Sequence, residues 1–190
     1  INSASGVHPV VVLANLSGFD GSPESLRRLQ LEYGAEIGRA VVNFDGPIVF
    51  VVIGRYHGGA YVVFSKALNA NLRALAIKGS FASVIGGAPA AAVVFPRQVR
   101  KAMHDDPRLQ IANDELAQAD SLSRTALREQ IEQLKTALTL EKRGELAAQF
   151  DATHSVERAV DVGSLDAVIE AHELRPVLIA ELEQSRTNAY

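Results

Sequence analysis

The chain contains no cysteine, which removes disulfides, thiol catalysis and Cys-based zinc sites together. Long apolar runs are missing too. None reaches the ~18 residues that a bilayer-spanning helix needs, so no membrane span is expected. Charge of one sign never accumulates: 19 Lys and Arg stand against 22 Asp and Glu, a net charge of −3. Without a basic block or stripe, nucleic acid is not an expected partner. The opening residues, INSASGVHP, lack the charged start and long apolar core of a signal peptide, and a cytoplasmic location is expected. That the chain opens at Ile1 rather than Met suggests a domain cut from something longer. What is present is ordinary globular composition, 47% hydrophobic and 22% charged over 190 residues. That is enough for one sizeable domain with a real core.

The most informative stretch runs from Pro47 to Leu68, PIVFVVIGRYHGGAYVVFSKAL. Ile48 to Ile53 have the length and β-branched content of a buried strand, which Gly54 is expected to end. Gly58 and Gly59 form a tight turn, and a buried helix is expected from Ala60, with Val63, Phe64 and Leu68 at helical spacing. A strand that turns through paired glycines into a helix leaves backbone N–H groups without internal partners. Glycine lets a ligand oxygen come close to such donors, the geometry of an oxyanion hole. The alternative is a turn packed for steric reasons alone.

On either side the chain alternates apolar strand, Gly-bearing turn and helix, an α/β layered pattern. Val10 to Leu13 read as a strand and Asn15 to Gly21 as a loop. Ser22 and Pro23 start a helix as N-cap and first residue, placing Leu26, Leu29, Tyr33, Ile37, Ala40, Val41 and Phe44 on one stripe. Two short strands are expected at Ala74 to Ile77 and Ala82 to Ile85. Gly86-Gly87-Ala88-Pro89 then opens a small-residue helix, Ala90 to Phe95. From Arg97 to Gln149 the chain is charged and helical, with Leu122, Leu127, Ile131, Leu134 and Leu138 on a narrow apolar stripe. Glu132, Lys135, Glu141 and Lys142 are expected on a solvated face. Gly144 is a candidate divider of two helices, and Phe150 to Thr153 a break. A short helix at Val156 to Val160, a strand at Ala167 to Ile169 and an amphipathic helix at Glu173 to Glu183 close the chain. Pro176 is tolerable in that helix's first turn. One domain over residues 1–190 is expected, with a helical insertion at 97–149 and no second domain or low-complexity linker.

Few side chains carry chemistry. Histidines 8, 57, 104, 154 and 172 show no His-x-x-x-His spacing, so no metal is expected. His57 precedes the glycine pair and either orients a ligand or bonds backbone. Ser17, Ser65 and Ser83 lack the Gly-x-Ser-x-Gly elbow of a hydrolase, and Gly54 to Gly59 do not match a dinucleotide fingerprint. Gly86-Gly87-Ala88 is a second donor nest or a site of close helix packing. Arg55 suits an anionic group or a structural ion pair. Chemistry of this backbone-donor type stabilises an enolate and lets substrate or cofactor move the protons.

Taken together, ANLSGF (Ala14 to Phe19), the Gly-Gly-Ala-Tyr turn (Gly58 to Tyr61) and HSVERAVDVGSLDAVI (His154 to Ile169) resemble a known family. They are similar to the C-terminal half of the carboxyltransferase of biotin-dependent acyl-CoA carboxylases. The long helical insertion resembles the acetyl-CoA carboxylase branch. The resemblance implies a crotonase-like α/β fold, a spiral of ββα units. It implies that a biotin carboxyl carrier domain delivers carboxybiotin, that backbone amides stabilise a biotin enolate, and that an acyl-CoA is carboxylated to a malonyl-CoA-type product. It places the biotin-side oxyanion hole on the amides of Gly59 and Ala60. Gly18 and Phe19 fall near the biotin pocket, with His57, Gly58 and Tyr61 beside them, and Val62 falls in the acyl pocket.

The N-terminal half, which holds most of the acyl-CoA site, is not in this chain. The resemblance therefore implies that the fragment alone is inactive and works as part of a homo-oligomer, with apolar helix faces partly in interfaces. Where the eukaryotic acetyl-CoA carboxylases often have Arg before the glycine pair, this chain has His57, a weaker anion partner. Two other functions fit parts of the pattern. A crotonase-type hydratase or decarboxylase would need a carboxylate in the pocket, for which Asp20 and Asp45 are the nearby candidates. A non-catalytic assembly domain would use the Leu122 to Leu138 stripe to bind a partner.

Overall fold

A computed structural model describes residues 1–4 and 8–187, without side chains for 3 and 185–187. A 3-10 turn at Asn2–Ala4 precedes β1 (Val10–Leu16), α1 (Pro23–Arg27), α2 (Gln30–Val42), β2 (Ile48–His57) and α3 (Gly59–Val63). Next come β3 (Leu72–Ile77), β4 (Phe81–Ser83) and a helical turn, α4 (Gly87–Pro89), that runs into a π-helical turn at Ala90–Val94. Then follow α5 (Pro96–His104), α6 (Pro107–Gln118), α7 (Arg124–Thr153), α8 (Val156–Asp161), β5 (Ala167–Ile169) and α9 (Leu174–Thr187). Residues 1–86 with 153–190 form one compact unit and residues 87–152 a second. Among the described residues no helix is long and apolar enough to cross a membrane.

The first unit is built on a wholly parallel sheet in the order β1-β2-β3-β5. Parallel strands are covered on both faces, so their sequences read as continuous apolar runs; β2 fits this rule. Ile48, Phe50 and Val52 point into the larger core with Phe44, Leu72 and Val156. Val49 and Val51 face the other way, where Leu174, Val177, Leu178 and Leu182 of α9 and its start cover them with Leu75. Strand β2 does not stop at Gly54. It continues to His57 and pairs with two strands in turn along the same edge, β3 against Ile48 to Val52 and β4 against Arg55 to His57. Gly54 instead makes room for a neighbour: a Cβ there would lie 2.5 Å from Asn15 Oδ1, which accepts the Arg55 amide at 3.1 Å.

Two helical expectations in this unit change. The helix from Pro23 breaks at Leu29, whose φ of +63° is left-handed. The stripe of Leu26, Leu29, Tyr33 and Ile37 faces outward, while Val41 and Phe44 are buried. The inward face of α2 is made by glycine. Gly34 is packed by the Phe19 ring and Gly38 by Val63, so the absence of side chains brings α2 close and decides which face is inside. The helix after the diglycine turn ends at Val63, within five residues, and Leu68 lies beyond it, exposed.

The second unit is helical. Where a regular helix was expected from Ala90 to Phe95, the Phe95 amide donates to Ala90 O at 3.0 Å, a five-residue step. Asp151 Oδ1 accepts the Gly87 amide at 2.7 Å, and Gly87 fits because a Cβ would strike Ala147 O. Helix α7 runs unbroken through Gly144 and through Phe150 to Thr153. One glycine costs about 1 kcal/mol in a helix, too little to stop a 30-residue run. Ile131 and Leu138 are buried with Met103 and Leu109, and Leu134 packs against them. Leu122 precedes the helix and is 89% exposed. Glu132 and Lys135 pair on the surface, as a solvated face requires. Glu141 is exposed as well and pairs there with Arg108, whereas Lys142 turns inward and lies 3.4 Å from the buried Asp106. The Arg108 guanidinium, despite burial, holds the Asp106 carboxyl well below its ordinary range.

Candidate active site

The C-terminal end of β2 delivers the chain into the diglycine turn. Gly58 is the N-cap of α3 at φ +63° and ψ −136°, a region closed to residues with a side chain. A Cβ on Gly58 would lie 3.0 Å from the Gly18 Cα. Gly18 is itself at φ +110°, and its neighbour Phe19 lays its ring across Gly59. An added Cβ at 59 would stand 2.6 Å from Phe19 Cε2, and one at Gly34 2.8 Å from the same atom. The structure therefore brings Gly18, Phe19, Gly58 and Gly59 together, as the two motifs implied. The space that Gly59 leaves by lacking a side chain is taken by the Phe19 ring. Steric packing thus accounts for the glycine, and any ligand role rests on the amides.

Those amides differ. The Gly58 N–H donates to Val84 O at 2.9 Å. Gly59 and Ala60 occupy the first helical positions, whose N–H groups have no carbonyl within the helix to meet. Among the described residues neither has an acceptor outside it. Of the two, only Gly59 has exposed surface in this chain, whereas Ala60 is fully covered.

His57 is buried beside β4, its Nδ1 3.2 Å from both Ser83 O and Ser83 Oγ. The Ser83 hydroxyl donates to Ile85 O at 2.6 Å. Its proton is thereby committed, so the network assigns the hydrogen between the two residues to His57 Nδ1. Tyr61 bridges to the turn after α8, its hydroxyl donating to Ser164 Oγ at 2.9 Å. Val62 projects from α3 and is 59% exposed. Arg55 is exposed and forms no ion pair among the described residues. Asp20 accepts from the hydroxyls of Ser25 and Ser22 and from the Ser22 amide. These bonds, Ser25's first, lower its pKa and make it an ionised turn residue. Asp45 offers its carbonyl to Asn71 Nδ2 at 3.1 Å. No group of three or more His, Asp and Glu able to hold a metal occurs among the described residues.

One residue of this neighbourhood escaped sequence reasoning. Tyr56 is buried, and its hydroxyl lies 2.8 Å from Phe64 O and 3.2 Å from Tyr61 O. Burial pushes its phenol well above the usual range. The signal was the period-two alternation from Ile48 through Val52, which carried past Gly54 places Tyr56 inward.

Comparison with known proteins agrees with this architecture. The carboxyl transferase domain profile matches residues 5–190. Acetyl-CoA carboxylase of Saccharomyces cerevisiae is 34% identical over 65 residues, 33% of this chain and 3% of the yeast protein. The mitochondrial acetyl-CoA carboxylase of S. cerevisiae is 33% identical over 63 residues, 32% of this chain and 3% of that protein. Among solved structures, transcarboxylase 12S with methylmalonyl-coenzyme A bound superposes with a TM-score of 0.62 at 21% identity, over 94% of this chain and 28% of that one. The β subunit of P. aeruginosa geranyl-CoA carboxylase gives 0.61 at 20% identity, with the same coverage. The fold is thus the crotonase-like α/β fold of carboxyltransferase subunits, and the chain spans only a small part of the relatives' length. With a family match over nearly its whole length, the chain belongs to the carboxyl transferase domain family.

Proposed function

We propose that this chain is the C-terminal, biotin-side portion of an acyl-CoA carboxyltransferase, moving a carboxyl group from carboxybiotin to an acyl-CoA. The observation that carries the reading is the Gly59 amide, unpartnered at a helix start and held by a glycine turn clamped under Phe19. Bound carboxybiotin, presented by a carrier domain, supplies the transferable carboxyl group. Gly59 would offer its N–H to the ureido oxygen of the biotin, the kind of donor whose loss costs about 10²–10³ in kcat. Ala60 contributes a second amide only where the assembled enzyme opens a path to it. Gly18 and Phe19 fix the turn; Val62 and Arg55 offer an apolar and a cationic contact to the acyl-CoA. His57, fastened to Ser83, keeps the strand end in register. The remaining part of the site comes from an N-terminal carboxyltransferase portion, and the exposed α1–α2 stripe is covered in the homo-oligomer. The hydratase alternative loses its support at Asp20, whose carboxylate is engaged by Ser22 and Ser25 at its own helix start.

The test joins this chain to an N-terminal carboxyltransferase portion and follows malonyl-CoA decarboxylation in the presence of free biotin. Gly59→Pro removes the N–H at a helix position that favours proline, whereas Gly59→Ala imposes the same Cβ and keeps the N–H. The Pro variant is expected to be at least about 30-fold slower than the Ala variant. Equal rates would refute the donor role. Turnover by the chain alone would refute the divided site.

A further inference from the structure

Helix α3 has five residues, well short of the length at which a helix holds itself together in water. Something outside it must fix the direction of its first amides. Two carbonyls at its C-terminal end, Tyr61 O and that of the C-cap Phe64, both lie within reach of the Tyr56 hydroxyl, at 3.2 and 2.8 Å. Tyr56 belongs to β2, two residues before the diglycine turn, in the part of the strand paired with β4. Its ring is held between Phe50 and Tyr61, with centroids 4.8 and 5.0 Å away. One phenol therefore ties the far end of the helix back to the strand that delivers its near end. We propose that Tyr56 is a positioning residue for the reaction, its hydroxyl setting the orientation of the Gly59 amide through the carbonyls of Phe64 and Tyr61. This inference rests on the donor role given to Gly59.

The phenol keeps its proton across the working pH range because burial opposes the phenolate. It thus acts only as a donor to the helix. Nothing places it in contact with substrate.

The test uses the same joined carboxyltransferase, well below its melting temperature, and compares Tyr56→Phe in two backgrounds. Phe keeps the ring and removes the hydroxyl. In the unsubstituted background kcat is expected to fall about 10-fold with KM for malonyl-CoA changed less than about 2-fold, the pattern of an interaction realised in the transition state. In the Gly59→Pro background, where no amide remains to be oriented, Tyr56→Phe is expected to change kcat by less than about 2-fold, since residues acting as a unit are non-additive. An equal loss in both backgrounds, or none in the first, overturns the proposal while leaving the Gly59 donor intact. Equal rates for Gly59→Pro and Gly59→Ala remove the donor role itself and are read separately. Should Tyr56→Phe fail to fold, hydrogen exchange of the unsubstituted enzyme decides. The Phe64 amide, which donates to Ala60 O, is expected to be protected at least about 10³-fold, and protection below about 10-fold would show a helix that nothing holds.

Discussion

Replacing Gly59 by Ala puts a methyl group where the Phe19 ring already lies, and the structure fixes how large the effect must be. The new Cβ stands 2.6 Å from Phe19 Cε2, with Cδ2 closer still, whereas carbon atoms rest about 3.5–4.0 Å apart. The ring has to retreat by about 1 Å. The same Cδ2–Cε2 edge also packs on Gly34, where a Cβ would lie 2.8 Å from Cε2. Overpacking of this kind costs about 1–3 kcal/mol, and Gly59→Ala is expected in that range. Phe19→Ala, truncating a half-buried ring, is expected to cost about 2 kcal/mol, below the full range for a buried Phe. In the double variant there is no ring to strike. Its loss should therefore fall short of the sum by about 1.5–2 kcal/mol, a coupling typical of residues in contact. Urea unfolding of the four proteins followed by circular dichroism measures the cycle. Additivity within about 0.5 kcal/mol would refute the clamp.

Three further outcomes follow from single contacts. Asn69 is buried and donates through Nδ2 to Val41 O and Phe44 O while accepting the Asn71 amide. Asn69→Ala should cost about 1–3 kcal/mol in urea unfolding, since it removes the Nδ2 donor from Phe44 O and leaves Val41 O with only the Phe44 amide at the end of α2. Burial raises the Asp166 carboxyl, but Lys66 at 2.6 Å, the Ala74 amide and Arg73 outweigh it and leave its pKa lowered. Its contribution is therefore present above the unfolded carboxylate pKa near ~3.9 and lost as pH falls through the lower folded value; Asp166→Asn should flatten stability against pH in that acid window. Gly144 lies within α7 with nothing inside 4 Å of an added Cβ, so Gly144→Ala should stabilise by about 0.5–1 kcal/mol and raise the melting temperature.

How far the sequence disclosed the fold depends on where each element's partner lies. Strand β2 was legible because burial on both faces writes itself into every residue from Ile48 to Val52. The start of α1 was legible because its cap is local, Ser22 Oγ accepting from Ser25 N at 3.2 Å. The inward face of α2 was not legible, because hydrophobic periodicity looks for large side chains there. Here Gly34 and Gly38 mark it, since close approach to Phe19 and Val63 demands the absence of a side chain. The apolar stripe of Leu26, Leu29, Tyr33 and Ile37, whose side the sequence left open, lies outward and is divided between α1 and α2 at Leu29.

The site divides along the same line. The diglycine turn and the Gly18-Phe19 loop stand 39 positions apart or more, yet each carries a glycine signature of its own, and the structure joins them. Tyr56 carries none. Its role depends on two carbonyls of a helix too short to announce itself, five and eight residues away. Ser164, which receives the Tyr61 hydroxyl from 103 residues off, is as silent. A donor that must be held still is therefore visible in sequence as the turn that exposes it, while the groups that hold it become visible only once the helix is built. If the Gly59 amide is what the turn exists to present, the phenol beneath it should matter to rate more than to affinity, and that asymmetry separates a scaffold built for catalysis from one that merely packs.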